Sequence, residues 1–174
     1  MLKVKNLWKI ALVLIGIGVI GCVFTFTSSG EKRASEEVEF DSDNIEKIDI
    51  RSDNAKVEDL PTEQSSLKVK VFAEGRYDRL LSEVKGDALS IQVKDKKDRF
   101  INFNFFDAGT SLQVYMPKKQ YDSLDIKSHN GTVSLNNFHV DQAKVEADNG
   151  KIELQDINAR MIDAETNNGK IDFQ

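Results

Sequence analysis

Cysteine, histidine, proline and tryptophan are all scarce in this sequence of 174 residues. The single cysteine, Cys22, excludes a disulfide within the chain. The two histidines, His129 and His139, have no cysteine or further histidine at the spacing of a zinc site. The sequence also lacks a Ser-His-Asp set, a pair of acids in a cleft-like context and a phosphate-binding loop. It therefore predicts neither an enzyme nor a metal or cofactor site.

A helical period of 3.6 residues is absent after residue 28. Apolar and polar residues instead alternate with a period of two, which is typical of half-buried strands. Ten phenylalanines and only two prolines favour a folded chain over a disordered one. We therefore expect a mainly β fold, which includes a hairpin around Gly86.

The carboxy-terminal third contains one motif three times. Asn130–Gly131, Asn149–Gly150 and Asn168–Gly169 follow one another at a spacing of 19 residues, with an alternating segment on either side. Asn-Gly suits a tight bend because both residues tolerate positive φ. A degenerate earlier copy carries Asn54–Ala55. This spacing predicts a β-solenoid, or β-helix-like stack, in which the asparagine side chains stack about 4.8 Å apart and exchange hydrogen bonds.

The alternation also predicts which residues of the repeats face the core of the stack. The predicted inward residues are Leu124, Ile126, Val133, Leu135, Phe138, Val140, Val145, Ala147, Ile152, Leu154, Ile157, Ile162, Ala164, Ile171 and Phe173. Residues 170–174 form the last predicted rung. An open strand edge invites pairing with another chain, so we expect self-association at this C-terminal strand.

The first 28 residues differ from the rest of the chain. Three lysines precede an uncharged run of 17 residues, from Ile10 to Phe26, and an acidic stretch follows it. About 17–25 apolar residues span a bilayer core, and basic residues favour the cytoplasmic side. We therefore predict a membrane anchor with one transmembrane helix at residues 1–28, a linker at 29–39 and an extracytoplasmic β domain at 40–174.

Two alternatives to an uncleaved anchor stay open. Val19-Ile20-Gly21-Cys22 resembles a lipobox, in which Cys22 would be acylated after cleavage. Ordinary cleavage near Ser28 is the other alternative, although no Ala-x-Ala site supports it. All three interpretations place the β domain outside the cytoplasmic membrane.

Charge restricts the kind of partner. The chain has 24 basic and 29 acidic residues, and its only charges before Glu31 are three lysines, so the predicted β domain is strongly acidic. Such a surface repels nucleic acid and anionic lipid. An aromatic cluster, comprising Phe100, Phe103, Phe105 and Phe106, either covers an open end of the stack or forms a patch that docks a partner or the membrane surface.

The phrase Val114-Tyr115-Met116-Pro117, which leads into the first Asn-Gly repeat, resembles a known family. Together with the repeated turns and the single membrane segment, it is similar to the putative-adhesin domain family of unknown function. Members include LiaG-like membrane-anchored proteins of Gram-positive bacteria. The resemblance covers roughly residues 40–174 and carries no catalytic residues. It implies a β-solenoid outside the membrane and an association with the cell-envelope stress response.

These observations favour a non-catalytic interaction protein that is accessory to envelope stress sensing. The alternative is a surface adhesin-like module that binds cell wall polymer or another cell. A glycan-acting enzyme is a third class, but no acidic pair in the sequence marks its site.

Overall fold

Ten β-strands make up most of the chain described by the computed structural model, which covers residues 33–74, 77–95 and 109–174. They are β1 (Arg33–Asp41), β2 (Lys47–Ser52), β3 (Ala55–Thr62), β4 (Ser66–Glu74), β5 (Tyr77–Lys85), β6 (Ala88–Asp95), β7 (Thr110–Pro117), β8 (Tyr121–Asn136), β9 (His139–Gln155) and β10 (Asn158–Phe173). The expectation of a mainly β fold is confirmed. No helix capable of crossing a membrane occurs in these ranges. The predicted anchor at residues 1–28, with Cys22, lies outside them.

The strands form two walls, and the chain bends where it passes from one wall to the other. β2 and β3 are separated by a bend at Asp53–Asn54, whereas β8, β9 and β10 each continue through their Asn-Gly pair. Wall A comprises β5, β6, β2 and the first halves of β8, β9 and β10. Wall B comprises β1, β4, β7, β3 and the second halves of the same three strands. The inward side chains of both walls form one hydrophobic core.

The order of the rungs in space differs from their order in the chain, where a rung is one pass along both walls. β2 lies between β6 and β8 on wall A, and β3 lies between β7 and β8 on wall B. The early copy at Asn54 is therefore stacked directly against the first Asn-Gly repeat. Neighbouring strands are parallel from β6 and β7 up to β10, while β1, β4 and β5 pair antiparallel at the other end. The β5–β6 hairpin around Gly86, which has a φ of 64°, is present as predicted.

Strand β1 corrects the predicted domain boundary. It pairs with β4 along its whole length, so the prediction of a linker at residues 29–39 is wrong for residues 33–39. Val38 and Phe40 pack against the core, whereas Glu37 points outward and pairs with Lys70 at 2.9 Å. An edge strand with one solvated side needs an apolar side chain only at every second residue. Its polar composition therefore resembled a tether.

Glycine is required at the Asn-Gly corner because successive rungs approach each other closely there. A Cβ atom on Gly150 would lie 1.8 Å from the carbonyl oxygen of Gly131, and one on Gly169 would lie 1.8 Å from that of Gly150. Gly131 and Gly150 also have φ values of 135° and 156°, which side chains rarely allow. In the earlier copy, Ala55 is accommodated where its backbone N–H is bonded to the Ser52 hydroxyl oxygen at 3.0 Å.

The asparagines of this corner keep negative φ, in contrast to the expectation from their backbone preference. Within the described ranges, the non-glycine residues with positive φ are Asn137 and Asp156, at 52° and 51°. They lie 19 residues apart, where the chain returns from wall B to wall A. Asn and Asp tolerate the left-handed conformation better than other side chains. The repeat thus has a second corner, at Asn137 and Asp156, which the Asn-Gly pattern did not predict.

The predicted inward residues differ in burial between the last rung and the rungs below it. Those from Leu124 to Leu154 are buried, while those from Ile157 onward are half-buried or exposed. Ala143, which the prediction omitted, is also buried. Burial therefore depends on having a rung on both sides.

Candidate interaction surface at strand β10

The turn asparagines form a continuous amide ladder along the corner of the stack. Asn130 donates to the Oδ1 atom of Asn54 at 2.7 Å, Asn149 donates to Asn130 at 3.0 Å, and Asn168 donates to Asn149 at 3.2 Å. Asn130 and Asn149 each use one donor and one acceptor within the ladder. This arrangement fixes the register of the rungs, so the ladder is a structural element.

A second polar column follows the ladder one residue earlier in each rung. Asn167 donates to Asp148 at 3.0 Å, and the Nδ1 atom of His129 lies 4.0 Å from an Asp148 carboxylate oxygen. His129 and Asp148 are both substantially exposed. In the part of the chain that the structure describes, no group of three His, Cys, Asp or Glu side chains could hold a metal ion.

Strand β10 has one paired edge and one open edge. It pairs with β9 from Asn158 to Phe173, and no other described strand pairs with it. Its open edge therefore presents backbone N–H and C=O groups that are free to bond another strand.

Apolar side chains on β10 are exposed where their counterparts in lower rungs are buried. Ile162 is 37% exposed, but Ala143 and Leu124, which follow it down the same column, are 3% and 1% exposed. Phe173 is 61% exposed, whereas Leu154 below it is 2% exposed. Met161 is 60% exposed as well. A further strand at this edge would bury the columns of Ile162 and Phe173.

The outward faces of the lower rungs carry ion pairs, both within a strand and between neighbouring strands. On wall A, Glu146 contacts Lys127 at 2.7 Å and Lys144 at 2.5 Å, and these two lysines lower the pKa of its carboxyl to about 2. Arg51 pairs with Asp49 at 2.7 Å and with Asp125 at 3.5 Å. Asp49, Asp125 and Glu146, which lie below β10 on this wall, therefore have cations beside them.

The last rung departs from this pattern on wall A. Glu165 is in register with Glu146, and Asp163 is in register with Lys144, whose ammonium group pairs with Glu146. Neither Asp163 nor Glu165 forms an ion pair with a described residue. On wall B, by contrast, Asp172 pairs with Lys151 at 2.8 Å and with Lys170 at 2.6 Å, and these two lysines lower the pKa of its carboxyl. The open edge thus combines exposed apolar groups with two carboxylates on wall A that form no ion pair with a described residue.

One carboxyl group is buried inside the stack without a partner. Asp59 is 4% exposed, and neither of its carboxylate oxygens has a hydrogen-bond partner. It lies on β3 in register with Val114, at an inward position of the alternation that includes Ala55 and Val57. Desolvation raises its pKa to about 8. Burial, and then the charge of Asp59, raise the pKa of Tyr121, whose hydroxyl donates to the Pro117 carbonyl at 3.2 Å.

Sequence reasoning found the corner residues but missed Asp59, Asp163 and Glu165. The inward position of Asp59 was readable from the alternation Ala55, Val57, Asp59. No pattern in the sequence pointed to Asp163 and Glu165, because the residues beside them are set by the register in which β10 pairs with β9. The predicted aromatic cluster of Phe100, Phe103, Phe105 and Phe106 lies outside the described residues.

A family model described as Toastrack DUF4097 matches residues 45–174. The chain belongs to this family. The match confirms the resemblance to a β domain family of unknown function that the sequence suggested. No curated protein is detectably similar to the Toastrack chain in sequence.

Solved structures are similar to this Toastrack chain in fold. A putative cell adhesion protein from Clostridium sporogenes superposes with a TM-score of 0.53 at 10% identity, over 82% of this chain and 99% of that one. A putative adhesin from Bacteroides fragilis gives a TM-score of 0.41 at 11% identity, over 80% of this chain and 79% of that one. At such low identity, the first of these establishes the architecture alone.

Proposed function

We propose that this protein is a non-catalytic interaction module on the outer side of a cytoplasmic membrane, accessory to the cell-envelope stress response. The observation that carries the proposal is the open edge of β10, where Ile162 and Phe173 are exposed although their columns are buried below. Contiguous exposed apolar groups with a polar rim are typical of protein interaction sites. The lysine-flanked apolar run at residues 10–26 supports attachment through a single transmembrane helix.

A surface module that binds cell wall polymer or another cell is the second candidate. It is favoured by the fold shared with a protein named a putative cell adhesion protein. A second copy of this chain is a further candidate occupant of the β10 edge, since open edges also promote self-association.

Pull-down from detergent-solubilised membranes tests the first proposal. We expect the full chain to retain a membrane protein, and the double variant Ile162→Ser with Phe173→Ser to lose it. Leu81→Ser with Val84→Ser is the matched control, because these β5 side chains are 40% and 42% exposed at the opposite end of the stack. Binding to purified cell wall, without any retained membrane protein, would favour the second candidate.

Deletion of the gene tests the link to envelope stress. We expect altered induction of the response, or altered survival, after exposure to wall-active antibiotics. Unchanged induction and survival would contradict this part of the proposal while leaving the interaction role intact.

The mode of attachment is tested at Cys22. With an uncleaved transmembrane anchor, Cys22→Ser leaves the protein in the membrane fraction at its full length. A lipoprotein would instead incorporate labelled fatty acid, and the variant would lose that label.

A further inference from the structure

The first half of β10, residues 158–166, has the features of a strand acceptor. One of its backbone edges pairs with no described strand, its Met161 and Ile162 side chains are exposed, and it carries two outward carboxylates. Backbone hydrogen bonds at such an edge supply affinity for any extended segment, whereas side chains at alternate positions supply specificity. The chemistry of the occupant can therefore be inferred from those side chains.

Inward positions require apolar residues in the occupant. Ile162 and Ala164 continue columns that hold Ala143 and Val145 in β9 and Leu124 and Ile126 in β8. All four lower residues are almost completely buried. A strand beside β10 that carried polar residues at these positions would bury them without partners, which is unfavourable.

Outward positions require basic residues. Carboxylates on lower rungs of wall A pair with a lysine or arginine, as Asp125 does with Arg51 and Glu146 does with Lys127. Neither Asp163 nor Glu165 forms such a pair with a described residue. Asp163 lies beside Lys144, whose ammonium group is already paired with Glu146, and Glu165 lies beside Glu146 itself. Opposite charges on neighbouring strands stabilise a sheet, and like charges destabilise it.

We infer that the first half of β10 binds an extended segment of a partner protein in which apolar residues alternate with lysine or arginine. The basic side chains lie opposite Asp163 and Glu165, and the apolar side chains cover Ile162 and Ala164. A second copy is a poorer occupant, because pairing two β10 strands brings four carboxylates to one edge, where Arg160 is already paired with Asp141. This inference rests on the proposed function as an interaction module and adds the chemistry of the partner.

Binding of synthetic peptides to the full chain tests the inference. The probe is a capped nine-residue peptide, Thr-Val-Thr-Val-Lys-Val-Lys-Val-Thr, followed by fluorescence anisotropy. A second peptide has glutamate in place of both lysines, and a third has the probe's composition in an order that destroys the alternation. We expect the lysine peptide to bind at least tenfold more tightly than either, with slower amide hydrogen exchange in β10.

Charge variants locate the binding. Asp163→Asn with Glu165→Gln should weaken binding of the lysine peptide about fivefold, as expected for the loss of two exposed cross-strand pairs. Asp49→Asn with Asp125→Asn is the matched control, since it removes two carboxylates from lower rungs of the same wall. The control should bind within twofold of the unmodified chain. Asp163→Lys with Glu165→Lys should reverse the preference between the two peptides.

Three results would overturn the inference. They are equal binding of the lysine and glutamate peptides, equal weakening by the β10 and control variants, and a β10-dependent dimer that takes up no peptide. If the peptides fail while the membrane pull-down still depends on Ile162 and Phe173, the interaction role stands and only the inferred partner chemistry is wrong. If both fail, the proposed function is wrong as well.

Discussion

Asp59 should make the stability of this protein fall between mildly acidic and mildly alkaline pH. Its carboxyl is 4% exposed and has no hydrogen-bond partner, and burial raises its pKa from 3.8 to about 8. In the unfolded chain it ionises near pH 4, whereas in the folded chain it keeps its proton up to about pH 8. Between these values the folded state binds more protons, so stability decreases as the pH rises.

The size of the effect follows from the shift. One pKa unit corresponds to about 1.36 kcal/mol, so the whole range from pH 4 to 8 corresponds to a loss on the order of 5 kcal/mol. Carboxyls whose pKa is lowered, such as those of Glu146 and Asp172, contribute the opposite slope at low pH. The range from pH 6 to 8 avoids them. There, Asp59 alone should account for about 2–3 kcal/mol.

Urea unfolding of the full chain at pH 6, 7 and 8 measures this loss. The nearly isosteric variant Asp59→Asn stays neutral, so it should lose less than about 1 kcal/mol over the same range and should be the more stable protein at pH 8. Asp43→Asn removes an exposed carboxyl and is the control that should keep the unmodified slope. A slope that Asp59→Asn leaves unchanged would refute the assignment of a buried, protonated carboxyl.

Three further predictions concern the stack itself and are measured by the same unfolding assay. Gly150→Ala should destabilise the protein by about 3 kcal/mol or more, because its Cβ would meet a carbonyl oxygen at 1.8 Å. Gly86→Ala has open space around it and should cost about 1 kcal/mol, for its positive φ alone. Equal losses of stability in the two variants would contradict the close approach at Gly150. Asn149→Ala breaks two exposed ladder hydrogen bonds and should cost about 1 kcal/mol, and no loss would show that water replaces them fully. Leu124→Ala should destabilise the protein by about 2–5 kcal/mol and Ile162→Ala by less than about 1.5 kcal/mol, since only Leu124 is fully buried. A larger loss for Ile162→Ala than for Leu124→Ala would mean that the Ile162 side chain is buried in solution.

The repeat was the most informative feature of the sequence because its alternation and spacing reflect local geometry. A period of two separates the two sides of a strand, which is why residues from Leu124 to Leu154 were correctly assigned to the core. The boundary at residue 40 was wrong for a related reason. An edge strand such as β1 shows too few apolar residues for a composition-based boundary to recognise it.

The Asn-Gly pairs were correctly predicted to lie at a bend, but the reason given for the asparagine was wrong. The glycine was expected for backbone freedom, but the structure adds that a Cβ there would collide with the next rung. The asparagine was expected to tolerate positive φ, yet it serves through its side-chain amide, and the left-handed residues are Asn137 and Asp156. Distinguishing these roles requires knowing what lies above and below the turn.

By itself, the sequence determined the mainly β fold, the inward faces of the strands from Leu124 to Leu154, the 19-residue repeat and the membership of a β family. Only the tertiary structure decided that β2 and β3 lie between β6–β7 and β8, that Asp59 is enclosed without a partner, and that Asp163 and Glu165 are unmatched at an open edge. The physical reason is that alternation specifies which side of a strand faces inward, but not which strand becomes its neighbour. Neighbours are chosen by pairing between distant segments, and burial, charge matching and the exposure of β10 all depend on that choice.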